Sequence, residues 1–198
     1  MDQLYVKPMP ALINGFILAG GTGRRMGRDK ALLDWHGRPL LAHMIDLLQA
    51  AADQVEVVGR DPLPDRQPGL GPLSGIATAL KISSTDANLI VAVDIPLLTK
   101  DFLIYLRFRI QNSKHPLLVC KIESQFPLCL GIRRELLPEI ERRLSSGELS
   151  VRGFIEESRA EIIPETELQE HGFGISLFRN INTPEDYAKI RGNSTSDA

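Results

Sequence analysis

The chain has 198 residues, a formal net charge of −2 and 43% hydrophobic residues. That balance excludes a nucleic-acid scaffold, which is basic overall, and supplies enough apolar side chains for the core of one domain. No apolar run approaches the roughly 18 residues of a membrane span, and the N-terminus, with its early Asp2 and no long apolar stretch, does not read as a secretory signal, so the expected location is cytoplasmic.

Residues 1–12 read as a flexible arm, and residues 13–191 as one domain. Phe16 to Ala19 form an apolar run, the signal of a short buried strand. It ends in Gly20-Gly21-Thr22-Gly23, a turn nearly bare of side chains, where backbone N–H groups can approach an anion closely. Arg24, Arg25, Arg28 and Lys30 follow within the same loop, and that much positive charge beside bare backbone suits a polyphosphate. Two common phosphate loops fail against this stretch. A Walker loop needs Gly-Lys-Ser/Thr, whereas Lys30 stands between Asp29 and Ala31. A dinucleotide fingerprint needs G-x-G-x-x-G, and the run Gly21 to Gly27 has one residue too many.

Ala31 to Trp35 is a short segment ending at Gly37. Pro39 then opens a helix whose buried face is Leu40, Leu41, Met44, Ile45, Leu47, Leu48 and Ala51. Val55 to Val58 is the second strand. The strand–helix–strand order implies a parallel pair with a right-handed crossover. Arg60 to Pro72 is dense in proline and glycine and reads as a loop, and loops at the carboxyl ends of parallel strands are where such folds bind ligands. A helix starts at Pro72 with Leu73, Ile76, Ala77 and Leu80 on its apolar face, its N-terminal amides suited to an anion.

Asn88 to Val93 is a central parallel strand, with Asp94 at its carboxyl end and Pro96 closing it. A carboxylate there either caps the next loop or holds a divalent metal. Thr99 caps a helix carrying Phe102, Leu103, Leu106 and Ile110. An antiparallel insertion follows, with strands near Leu117–Lys121 and Leu128–Ile132. A turn at Ser124-Gln125 sets the only two cysteines, Cys120 and Cys129, opposite each other as buried, reduced thiols. Pro138 starts a helix that Gly147 ends, and Ser150 caps another in which Arg152 either faces the acceptor or, the favoured reading, is a surface arginine. In Asn180-Ile181-Asn182-Thr183-Pro184-Glu185-Asp186, Thr183 and Asp186 make a box-like cap, which leaves both asparagines unexplained by structure alone. Residues 192–198 read as a disordered tail. His36, His43, His115 and His171 show no metal spacing and receive no role.

The string Leu18-Ala19-Gly20-Gly21-x-x-Arg24-Arg25-Met26-Gly27-x-Asp29-Lys30 resembles the signature loop of the nucleotidyltransferase family that includes molybdenum cofactor guanylyltransferases. Its Gly-Gly leans toward the guanylyl branch, and the resemblance runs from about Ile13 to Ile190. It implies a three-layer α/β/α Rossmann-like fold, with a mostly parallel sheet and a small antiparallel part. The implied reaction is transfer of GMP from GTP to the terminal phosphate of molybdopterin, releasing pyrophosphate with Mg²⁺. By this resemblance Leu18, Ala19, Gly20, Gly21, Lys30, Asp65 and Asp94 bind the nucleotide, with Asp61 the rival to Asp65. Arg25, Lys30 and Asp94 are catalytic, Asp94 holds the metal, and Asn180 and Asn182 face the acceptor. Asp-x-Pro at Asp94 matches the family's metal element and favours metal over capping. Two positions depart from the family pattern: Gly59-Arg60, where an asparagine is usual, and Phe126-Pro127, where His-Pro is usual. Cytidylyl or sugar-phosphate transfer, or nucleotide binding without catalysis, are the alternatives.

Overall fold

The computed structural model describes residues 11–20, 26–64 and 69–193. Strand β1 (Asn14–Leu18) is followed by the two-residue strands β2 (Asp34–Trp35) and β3 (Arg38–Pro39), helix α1 (Leu40–Gln49) and β4 (Gln54–Val58). Then come α2 (Pro72–Ile82), β5 (Ala87–Ala92), α3 (Lys100–Asn112), β6 (Leu117–Lys121) and β7 (Cys129–Arg133). The chain continues through α4 (Leu137–Ser146), α5 (Val151–Glu157), β8 (Glu161–Pro164), α6 (Glu165–Glu170) and α7 (Pro184–Asn193).

Six strands form one sheet in the order β4-β1-β5-β7-β6-β8. β1 pairs in parallel with β4 and β5, and β6 with β8. Only β7 is reversed, antiparallel to both β5 and β6. The expected antiparallel part is thus a single reversed strand inside the main sheet. The tight turn after β6, closed by paired backbone bonds between Ile122 and Gln125, leaves β7 no other direction. Cys120 and Cys129 are buried free thiols across this pair, and the Cys120 hydrogen bond together with burial pushes the Cys129 thiol well up.

Side chains alternate across the sheet and divide the core in two. Ile17, Leu89, Val91 and Leu118 face α1 and α3, where Leu40, Met44, Leu48, Phe102, Leu106 and Ile110 are buried. Phe16, Ile90, Val119 and Leu130 face α2, α4 and α5, where Leu73, Ile76, Ile140 and Phe154 are buried. The result is three layers. At the amino ends of β1 and β5, Asn88 is fully buried and bonded to Ser83 and Thr85, so that edge is filled by its own polar network. The carboxyl ends of β1, β4 and β5 lie at the opposite edge.

Local signals place most helix ends as expected. The Thr99 hydroxyl accepts from Phe102 N at 3.2 Å and the Ser150 hydroxyl from Gly153 N at 3.0 Å. Three details differ. Pro39 caps α1 from outside the helix rather than being its first residue. β8 and α6 carry no strong periodicity and are additional elements. α7 continues to Asn193, two residues past the expected domain end at 191; it gains its hold from Ile190, which is buried in the core.

Candidate active site

The carboxyl ends of β1 and β5 are neighbours in the sheet, with Leu18 paired to Ala92. Each strand ends in a turn, and the two turns are tied together: Val93 N donates to Leu18 O at 3.1 Å. On the other flank, Ala19 N donates to Val58 O at 2.8 Å. Gly20 and Asp94 therefore occupy one edge of the sheet. Leu18 is half-buried, Ala19 buried and Gly20 exposed, a backbone rail with one open end. Gly21, Arg25 and Asp65 lie outside the described residues.

Gly59 explains itself here. Its φ is +95°, and a Cβ on it would stand 2.4 Å from both Gly20 Cα and Gly20 N. The end of β4 thus packs backbone to backbone against the start of the glycine turn, an approach only glycine permits. The departure from asparagine at this position is a packing requirement.

Lys30 joins three distant parts of the chain. Its Nζ donates to Asp94 Oδ2 at 2.7 Å and to Asn182 Oδ1 at 3.0 Å. Backbone bonding reinforces the junction, because Ile181 N donates to Asp94 O at 2.8 Å. The Asp186 carboxylate accepts from the backbone N–H groups of Asn182 and Thr183, which lowers its pKa, and the Thr183 hydroxyl accepts from Asp186 N. This capping box starts α7 and fixes Asn182 against Lys30. Asn182 is thereby brought to Lys30, while Asn180 is exposed at the start of the same segment.

Three residues without a sequence-derived role support this group. Asp29 caps a single 3₁₀ turn, Lys30–Leu32, its Oδ1 accepting from Ala31 N at 3.0 Å, and so aims Lys30. The other Asp29 oxygen pairs with Arg60. The second Arg60 nitrogen, Nη1, is buried without a hydrogen-bond partner, an orphaned cationic donor beside Lys30. His43, on α1, bonds through Nε2 to the Pro96 carbonyl at 2.9 Å, so that nitrogen carries the proton. Its Nδ1 faces the Arg38 guanidinium at 3.3 Å. Burial depresses the His43 pKa, opposed by the Pro96 bond and helped by nearby Arg38. A neutral imidazole thus holds the Asp94–Pro96 turn from behind. The Asp29 cap bonds a residue only two positions on, a local signal that the sequence reading passed over; the Arg60 and His43 contacts are tertiary and left no local signal.

The chemistry this donor set supports is narrow. Among the described residues no group of three His, Cys, Asp or Glu is gathered as a closed metal cage. Asp94 instead offers a single carboxylate, one-fifth exposed, at a strand end. That is the partial shell that suits magnesium, which fills the remainder with phosphate oxygens and water. Arg152, by contrast, is exposed and occupied by Glu156 and the Ser124 carbonyl.

Residues 15–162 match the MobA-like NTP transferase domain. The chain belongs to this family. Its members' chemistry makes it a nucleotidyltransferase. Within the MobA-like family it is 35% identical over 186 residues to a molybdenum cofactor guanylyltransferase of Xanthomonas euvesicatoria, covering 89% of this chain and 93% of that one. A probable molybdenum cofactor guanylyltransferase of Carboxydothermus hydrogenoformans is 31% identical over 185 residues, covering 88% and 92%. Molybdopterin-guanine dinucleotide biosynthesis protein A from Archaeoglobus fulgidus shares the fold, with a TM-score of 0.74 at 20% identity over 92% of this chain and 99% of that one. Among the described residues no helix is long and apolar enough to cross a membrane.

Proposed function

We propose that this MobA-like nucleotidyltransferase transfers GMP from GTP to the terminal phosphate of molybdopterin, releasing pyrophosphate. The observation that carries the reading is the Lys30–Asp94–Asn182 junction at the sheet edge where the glycine turn begins. The names of its 30–35% identical relatives support the nucleotide and the acceptor.

In this reading the triphosphate lies over the backbone of Leu18, Ala19, Gly20 and Gly21, with Asp65 or Asp61 on the nucleoside. An oxygen of the acceptor phosphate attacks the α-phosphorus. A new P–O bond forms, the bond to the β-phosphate bridging oxygen breaks, and its electron pair leaves on pyrophosphate. Lys30 and Arg25 meet the charge that gathers there, which is where preorganised cations act most strongly. The orphaned Arg60 Nη1 suits the same polyanion. A phosphate monoester is already ionised at neutral pH, so the acceptor needs no strong general base. Asp94 holds Mg²⁺, which would act as a Lewis acid on the phosphoryl oxygens. Asn182, and Asn180 beside it, face the acceptor.

The test is incubation of the purified protein with GTP, Mg²⁺ and molybdopterin, following pyrophosphate and the dinucleotide product. GTP is expected to support turnover and CTP to fail. Turnover with CTP alone makes it a cytidylyltransferase, and nucleotide binding without pyrophosphate release makes it a non-catalytic binder.

A further inference from the structure

The segment from Lys30 to His43 closes on one short turn of the chain from two sides. Lys30, at its start, donates from Nζ to Asp94 Oδ2 at 2.7 Å. His43, at its end, reaches the Pro96 carbonyl, two residues further along that turn, at 2.9 Å. Between them the segment folds into the β2–β3 ribbon, where Asp34 pairs with Pro39 and Trp35 with Arg38. Leu40 N also donates to Leu33 O at 2.8 Å. The ribbon fixes the spacing of the two gripping side chains, a cation on the carboxylate and an imidazole on the backbone behind it.

A polyanion acts differently on the two grips. Lys30 is about one-fifth exposed, and in the proposed reaction its charge also meets phosphate, so its hold on Asp94 is shared with the ligand. His43 grips a neutral carbonyl and stays out of that competition. Its Nδ1 faces Arg38 at 3.3 Å, and Arg38 is itself paired with Asp46, one turn further along α1. A guanidinium can only donate, so Nδ1 accepts and Nε2 carries its proton toward Pro96. The ring lies against Trp35, with centroids 5.7 Å apart, and Trp35 is buried. The imidazole is thus fixed in tautomer and in place before any ligand arrives. The turn itself needs such a hold. Pro96 has no N–H of its own to donate, and the neighbouring Asp94 carbonyl is held by Ile181 N.

We propose that His43 is a positioning residue of the transfer reaction: through the Pro96 carbonyl it keeps the Asp94 carboxylate in register with Lys30 while the triphosphate competes for the lysine. The role rests on the nucleotidyl-transfer reading, in which Asp94 meets Mg²⁺ and Lys30 meets phosphate. Reacting groups must be held to well under about 1 Å. A hydrogen-bonding partner one layer behind a metal carboxylate is worth roughly ten- to a hundredfold in activity or metal affinity.

Three substitutions separate the bond from the packing. His43→Gln places an amide N–H where Nε2 stood. His43→Met has nearly the shape of that glutamine without the donor, and His43→Phe keeps a ring against Trp35 without the donor. For each, kcat and KM for GTP are measured with molybdopterin at saturating magnesium, together with the magnesium concentration giving half-maximal pyrophosphate release. Two readouts need no turnover: GTP affinity by calorimetry with the metal chelated, and hydrogen exchange of the Ile181 amide by NMR. In the Met and Phe variants kcat is expected to fall about tenfold and the magnesium requirement to rise by a similar factor. The Ile181 amide exchanges faster in both, metal-free GTP affinity and KM for GTP stay native, and His43→Gln restores native values throughout. One folded donor-less variant suffices. Native kcat in the donor-less variants overturns the proposal, even if their thermal midpoint drops, because the bond is then purely structural. A Gln variant no better than Met overturns it too, and so does native Ile181 exchange in the donor-less variants. Absence of pyrophosphate release by the unaltered protein overturns the transfer reading and this role with it. Release by the unaltered protein with unaffected variants overturns this role alone.

Discussion

Lys30 and Asp94, 64 positions apart, form a 2.7 Å ion pair in which each side chain is about one-fifth exposed, 19% and 20%. Partial exposure is what a working pair needs. A ligand can reach both groups, yet water is thinned enough to strengthen the attraction of Lys30 to phosphate.

From this pair follows the first prediction. Lys30→Ala removes a charge contact worth about 3 kcal/mol to the transition state, so kcat/KM for GTP falls roughly a hundredfold. Asp94→Ala abolishes metal-dependent turnover while the thermal midpoint moves by only a few degrees, since the pair lies at a sheet edge and not in the core. Steady-state pyrophosphate release across a magnesium titration checks both, and full activity in Asp94→Ala would refute the metal role.

Gly59→Ala provides a second test, one of backbone geometry. A methyl group 2.4 Å from the Gly20 backbone, at a φ of +95°, forces β4 and the glycine turn apart. A conformation of this kind costs about 1–3 kcal/mol for a non-glycine residue before the steric clash is added. GTP affinity should drop at least tenfold while circular dichroism keeps the native helix content. Equilibrium nucleotide binding with native affinity would show that the two turns do not need to touch.

His43 gives a pH dependence of defined sign. Its folded pKa is depressed below the ordinary 6.5, mainly by burial. The unfolded chain therefore takes up this proton first. His43's contribution to stability is complete above pH 6.5 and declines as the pH falls from there toward the depressed folded value. An NMR titration should place the His43 midpoint below 6.5. His43→Phe should flatten this part of the stability profile. A midpoint at or above 6.5 contradicts the neutral bond to Pro96.

Arg143 on α4 is only 2% exposed and is met by Glu139, Glu148 and Glu157, with Phe154 beneath its guanidinium at 5.9 Å. It ties α4 to α5 on the face of the sheet that α2 also covers. Arg143→Ala strands the glutamates and leaves a void, costing about 2–4 kcal/mol in urea denaturation. GTP affinity should stay native below the transition, because none of the residues assigned to the nucleotide lies on that helix pair.

Much of this was legible along the chain. The apolar runs at Phe16 and Leu89 gave buried strands, because a strand covered on both faces has no polar positions to interrupt it. Caps at Thr99, Ser150 and Thr183 were readable because their bonding partners are three residues away. Residues 161–178 were not, since β8 is a short edge strand whose place depends on β6 and on Arg109, which reaches Glu161 and Glu167 from α3.

By itself the sequence determined the local chemistry: a glycine turn behind a buried strand, a run of basic side chains ending at Lys30 in the same loop, and a carboxylate ending a second strand. These depend on neighbours a few residues apart, whose bonds form wherever the segment ends up. Tertiary structure alone decided that Lys30 meets Asp94 and Asn182 and that Gly59 presses on Gly20. Those contacts bridge strands and loops far apart in the chain, and only the pairing of β4, β1 and β5 into one sheet brings them to the same edge.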